Sequence, residues 1–104
     1  MFTKKEWTQA ELYTYTNELK KKNIDVVLVD TILKPLENIP TLLYNPFELQ
    51  KFPHGTVFVF YCDTGKTTKE RLSFYQKKFP NNPCISLRGG RGYWRPNFKN
   101  DTPL

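Results

Sequence analysis

Cys62 follows the apolar run Thr56-Val57-Phe58-Val59-Phe60-Tyr61 and opens the loop Cys62-Asp63-Thr64-Gly65-Lys66-Thr67. A thiol is a nucleophile only as its thiolate, and converging N–H donors or positive potential favour that form. A short loop leading into a helix supplies both: its amides curl around one point, and the helix start adds partial positive charge. Gly65 permits the backbone twist that the curl requires. Lys66 and the hydroxyls of Thr64, Thr67 and Thr68 add charge and hydrogen bonds at the rim. Asp63 works against them, because a nearby carboxylate raises a thiol pKa. Such a cradle suits a thiolate, a persulfide anion or an oxyanion. The inert alternative is a small buried residue that merely ends a strand.

The elements that must position this loop follow from pattern. Thr8-Gln9-Ala10-Glu11 has the form of a capping box, with Trp7 placed as a staple before it. Leu12, Tyr15 and Leu19 then recur at helical spacing, and Lys20-Lys21-Lys22 closes the helix where its dipole favours cations. Val26 to Val29 is a continuous apolar run ending at Asp30, the habit of a strand buried on both faces. Between Thr31 and Pro53 the prolines at 35, 40, 46 and 53 forbid a long helix, leaving room for a short one near Pro46. His54-Gly55 is a turn before the second strand, Thr56–Tyr61. Thr67 or Thr68 caps a helix to about Lys78, with Leu72, Tyr75 and Phe79 on one face. Cys84 to Leu87 is a third strand, Arg88-Gly89-Gly90-Arg91-Gly92 a sharp turn, and 97–104 a loose tail. Alternation of this kind predicts an α/β domain with parallel strands and right-handed crossovers. Ligand sites in such sheets lie beyond the carboxyl ends of the strands. Asp30, Cys62 and Arg88 all fall there.

A chain of 104 residues has room for one core, so a single domain over 1–104 is expected. No apolar stretch approaches the roughly 18 residues of a membrane helix. The first residues carry no apolar signal core, so secretion is not indicated and a cytoplasmic address follows by default. Two cysteines do not form a disulfide framework, and His54 as sole histidine leaves no Cys/His zinc set. Cys84 is expected in the core, and His54 in solvent. The net charge of +6 suits anionic partners or simple solubility. Its cations are scattered rather than gathered into a tract, so a nucleic-acid role resting on Tyr93, Trp94 and Arg95 is disfavoured against packing.

The segment Val57 to Thr68 resembles the active-site strand and loop of rhodanese-like sulfurtransferases: an apolar strand, C-x-x-G-x-T or C-x-x-G-x-R, then a helix. Leu87-Arg88-Gly89-Gly90 with Trp94 is similar to that family's L-x-G-G followed by W. Glu37-Asn38-Ile39-Pro40 and Asn45-Pro46 resemble its G-H-I-P-G-A-x-N-x-P signature, Asp30 the Asp of its D-x-R, and Thr8 to Leu19 its first helix. The likeness covers nearly the whole chain. It implies a rhodanese-like fold, a small parallel sheet flanked by helices. It also implies sulfur transfer through a Cys62 persulfide, with Asp63, Thr64, Gly65, Lys66, Thr67, Thr68 and Arg88 around the substrate. No metal or organic cofactor is implied. The implied partners are a small anionic donor such as thiosulfate, or a persulfide, and a thiol or sulfur-carrier protein as acceptor.

Departures from the family pattern frame the alternative. Ile32 stands where the family has Arg, Asn38 where it has His, and Thr67 where many single-domain members have Arg. With Asp63 beside the cysteine, these changes fit a weak or inactive module that docks partners. Two other readings fail on spacing. A P-loop needs glycine at position 60, which is Phe60, and a cysteine phosphatase needs Arg at position 68, which is Thr68.

Overall fold

Val57–Tyr61 (β4) is the axis of the molecule, and its five residues are all fully buried. In the computed structural model, which describes residues 4–98, it is flanked by Val26–Asp30 (β2) and Cys84–Leu87 (β5). Two short strands complete the edges: Glu6–Trp7 (β1) beside β5, and Leu42–Leu43 (β3) beside β2. The sheet runs β1-β5-β4-β2-β3, with every pairing parallel. The fold is α/β, as the alternation of elements predicts.

Side-chain alternation along β4 divides the core. Val57, Val59 and Tyr61 pack with Trp7, Leu12, Leu19, Leu28 and Leu87. Phe58 and Phe60 point the other way, to Leu49, Leu72, Tyr75 and Phe79. The first layer is closed by Gln9–Lys20 (α1), the second by Pro46–Leu49 (α2) and Leu72–Lys78 (α4). The expected capping box is present: Glu11 N–H donates to Thr8 Oγ1 at 3.1 Å, and Thr8 N–H to Glu11 Oε1 at 3.0 Å. Asn45 caps α2, accepting from Phe47 N–H at 3.0 Å, with Pro46 at the first helical position.

Two expectations are corrected. The helix after the cysteine loop has Gly65, not Thr67 or Thr68, at its cap; it starts at Lys66 and is broken at Arg71 into α3 (Lys66–Glu70) and α4. Strands β1 and β3 were not expected, because two-residue pairings carry no periodic signal. They exist through main-chain bonds to distant segments, Ser86 N–H to Lys5 O at 2.9 Å and Tyr44 N–H to Asp30 O at 2.8 Å. The tail beyond residue 98 lies outside the described residues. No helix among the described residues is long and apolar enough to cross a membrane.

Candidate active site

Cys62 sits one residue past the carboxyl end of β4, where the chain leaves the sheet. Gly65, at φ +86°, turns the loop back so that its N–H donates to Cys62 Sγ at 3.1 Å. Thr68 Oγ1 stands 3.6 Å from the same sulfur. Burial alone would push the thiol up. The N–H and hydroxyl of Thr68, with the N–H groups of Thr64 and Gly65, outweigh it and hold Cys62 below the ordinary thiol value. The curled loop inferred from the spacing is therefore present and directed at sulfur.

The Gly89-Gly90 turn explains why the loop keeps this shape. A Cβ on Gly90 would lie 2.2 Å from Cys62 O, and one on Gly65 would lie 2.8 Å from Gly89 N. Across this close approach Arg91 N–H donates to Cys62 O and Gly92 N–H to Asp63 O, both at 2.8 Å. Two glycine positions separated by a helix pair and a strand thus form one braced unit. Both take positive φ, +86° at Gly65 and +55° at Gly90.

Behind the sulfur lies a buried pair of hydroxyls. Thr68 and Ser86 are both fully buried, with Oγ1 and Oγ 2.7 Å apart, and both also reach Gly65 O, at 3.3 and 3.4 Å. Each hydroxyl has one hydrogen and several acceptors within reach. The 2.7 Å contact requires one hydroxyl to donate to the other; with Ser86 as that donor, the Thr68 hydrogen is free for Cys62 Sγ or Gly65 O.

Cys62 itself is 5% exposed, yet it lines an open pocket of about 270 Å³ with Thr31, Ile32, Asp63, Thr64, Thr67, Arg71 and Tyr75. Of the substrate-binding set expected from the sequence, Asp63, Thr64 and Thr67 line this pocket, while Gly65 and Thr68 shape it from beneath. Lys66 does not line it. Its N–H bonds Thr64 Oγ1 at 3.3 Å and it is exposed at the start of α3. Arg88 is displaced further. It lines a separate depression with Thr8, Leu87, Tyr93 and Trp94, because the residue after β5 follows the edge toward β1, where Arg88 N–H bonds Trp7 O. Arg91 faces a third hollow beside Pro35 and Glu37. Sequence reasoning missed Thr31, Arg71, Tyr75 and Ser86. The spacing of Tyr75 with Leu72 and Phe79 predicts a packing residue, and its ring does stack on Phe60 at 4.0 Å.

The remaining candidates have structural tasks. Buried Asp30 accepts Ile32 N–H at 2.8 Å through Oδ1 and so holds the chain as it leaves β2. Asp63 is exposed and stands 3.9 Å from Lys34 Nζ. Asn38, at φ +63°, donates to Pro96 O at 3.0 Å, and Trp94 Nε1 to Glu37 O at 2.9 Å. Burial pushes the Cys84 thiol up to about 12. In the β4–β5 register Cys84 is opposite Phe58, so it lies roughly 13 Å down the sheet from Cys62. That separation is about twice the Cα span a disulfide bridges.

Comparison with protein-family models, with curated proteins and with solved structures finds no match to this chain.

Proposed function

We propose that this chain is a rhodanese-type sulfurtransferase in which Cys62 carries sulfane sulfur as a persulfide. One observation carries the reading: the loop after β4 directs the Gly65 amide at Cys62 Sγ, while the sulfur's other side faces a pocket large enough for a small donor. In the first half-reaction the Cys62 thiolate attacks the outer sulfur of thiosulfate. The Sγ–S bond forms, the S–S bond to the sulfonate sulfur breaks, and its electron pair leaves with sulfite. The resulting persulfide anion keeps its charge within reach of the loop amides and the Thr68 hydroxyl. In the second, an acceptor thiolate attacks the outer sulfur, and the Cys62 thiolate departs with the electron pair. A thiol or a sulfur-carrier protein ending in a nucleophile fits that role.

The test is direct. The full chain is incubated with thiosulfate, or with a low-molecular-weight persulfide, and weighed intact. One added sulfur is expected on Cys62, absent in Cys62→Ser. Alkylation by iodoacetamide without sulfur loading from either donor would reject the transfer reading. The second reading, a rhodanese-like module that docks partners without turnover, draws on the 5% exposure of Cys62 and would then take its place.

A further inference from the structure

Arg71 occupies the break between α3 and α4, with φ −92° and ψ 0° outside the helical region. The interruption is local: Arg71 N–H still reaches Thr67 O, and Tyr75 N–H reaches Arg71 O, both at 3.0 Å. Its side chain lines the pocket that holds Cys62, Thr64, Thr67 and Tyr75. No carboxylate of the described residues pairs with it. The pocket's carboxylate, Asp63, has Lys34 as its partner instead. Beside Arg71 is the Tyr75 phenol, which burial pushes up overall, with the Arg71 charge and hydrogen bond pulling only partly the other way. The Tyr75 ring is fixed by its stack on Phe60.

An anionic donor approaching a thiolate meets like charge, so a pocket that accepts such donors needs a compensating cation. A guanidinium supplies one in a fork that matches the oxygens of a sulfonate or carboxylate. We infer that Arg71 is the specificity-determining cation of the Cys62 pocket, holding the oxyanion end of a small donor while its sulfur, or other electrophilic atom, meets the thiolate. Thr64 and Thr67 hydroxyls are the neutral donors on the same wall. Thr31 is not one, because its hydroxyl already donates to Tyr61 O at 2.8 Å. Arg88 and Arg91, the arginines that sequence order brings nearest the Gly-Gly turn, take no part. The identity of a sulfur-bearing donor rests on the sulfurtransferase reading. The charge selection holds for any electrophile that reaches Cys62.

The experiment compares iodoacetate with iodoacetamide, an anion and a near-isosteric neutral reagent, reacting at Cys62 of the full chain, with peptide mapping to separate Cys84. The ratio of the two rates cancels any change in thiolate fraction or in exposure of the sulfur. It should fall about five- to tenfold in Arg71→Ala, survive largely in Arg71→Lys and stay unchanged in Arg88→Ala. Raising the salt should carry the native ratio toward that of Arg71→Ala. With thiosulfate, Arg71→Ala should raise the half-saturating concentration by a similar factor and leave the limiting rate within about twofold. An unchanged ratio in Arg71→Ala overturns the inference, even where sulfur loading succeeds. A ratio that depends on Arg71 without any sulfur loading upholds it and rejects the sulfurtransferase reading alone.

Discussion

At the scale of single residues, Cys62 reactivity reduces to which donors reach its sulfur. Because the thiol is held below its ordinary value, its alkylation should rise with pH through a midpoint below that of a free cysteine. It should fall away on the acid side as the thiolate takes up a proton. Thr68→Val keeps the volume and removes one donor, so the midpoint should move up. The rate near neutral pH should then drop about fivefold, the worth of one hydrogen bond. Ser86→Ala should move it the same way by less, since Thr68 is left to divide its hydrogen between Cys62 and Gly65 O. A rate-against-pH profile for each variant checks both; coincident profiles would show that the hydroxyls do not support the charge. Sequence reasoning named Thr68 but not Ser86, because a serine inside an apolar strand is indistinguishable from a packed one until the helix residue lying over it is known.

At the scale of elements, the cysteine loop and the Gly-Gly turn behave as a single part. Gly90→Ala would set a Cβ 2.2 Å from Cys62 O on a backbone at φ +55°. Close contact and left-handed strain together should cost about 2 to 4 kcal/mol and move the Gly65 amide off sulfur. Gly55 has φ +93° with nothing within 4 Å of a Cβ, so Gly55→Ala should cost only about 1 to 2 kcal/mol and leave Cys62 unaffected. Denaturant midpoints with alkylation rates separate the two; equal losses of reactivity would refute the brace. The capping box of α1 has a pH dependence of its own. A side-chain hydrogen bond from Lys4, with the Thr8 bonds, holds the Glu11 carboxyl below its ordinary value. A depressed carboxyl stabilises the fold above the ordinary glutamate pKa, and the gain is lost as pH falls through the folded-state value. The melting-temperature difference between native protein and Glu11→Gln should therefore narrow toward acid pH.

At the scale of the whole molecule, a sheet of five parallel strands is sandwiched between two apolar layers, and the pocket opens where the central strand ends. Phe60 links the layer to the site, touching Phe58, Tyr44 and Tyr75. Phe60→Ala should cost about 3 to 5 kcal/mol in a urea titration and loosen Tyr75 from the pocket wall. A variant as stable as the native chain would mean that the second layer does not hold the sheet. The cations behind the net charge of +6 are scattered along the chain rather than gathered into one tract, so affinity for DNA or RNA should be weak and lost by about 0.2 M salt. Binding that survived such salt in a filter assay would point to a nucleic-acid role.

The sequence by itself determined the central strands, the parallel α/β order and the thiol at a strand's carboxyl end, because each depends on local pattern: apolar runs, caps and breakers. It also foretold a loop able to curl around sulfur, since glycine and short spacing leave few other shapes. Tertiary structure alone decided the rest. It made β1 and β3 from backbone bonds between remote segments, seated Gly90 against Cys62, put Ser86 behind Thr68, sent Arg88 to another face and set Arg71 on the wall of the Cys62 pocket. These depend on which strands lie side by side and where a helix breaks. Both are settled by packing across the sheet, and residue order carries no local record of either.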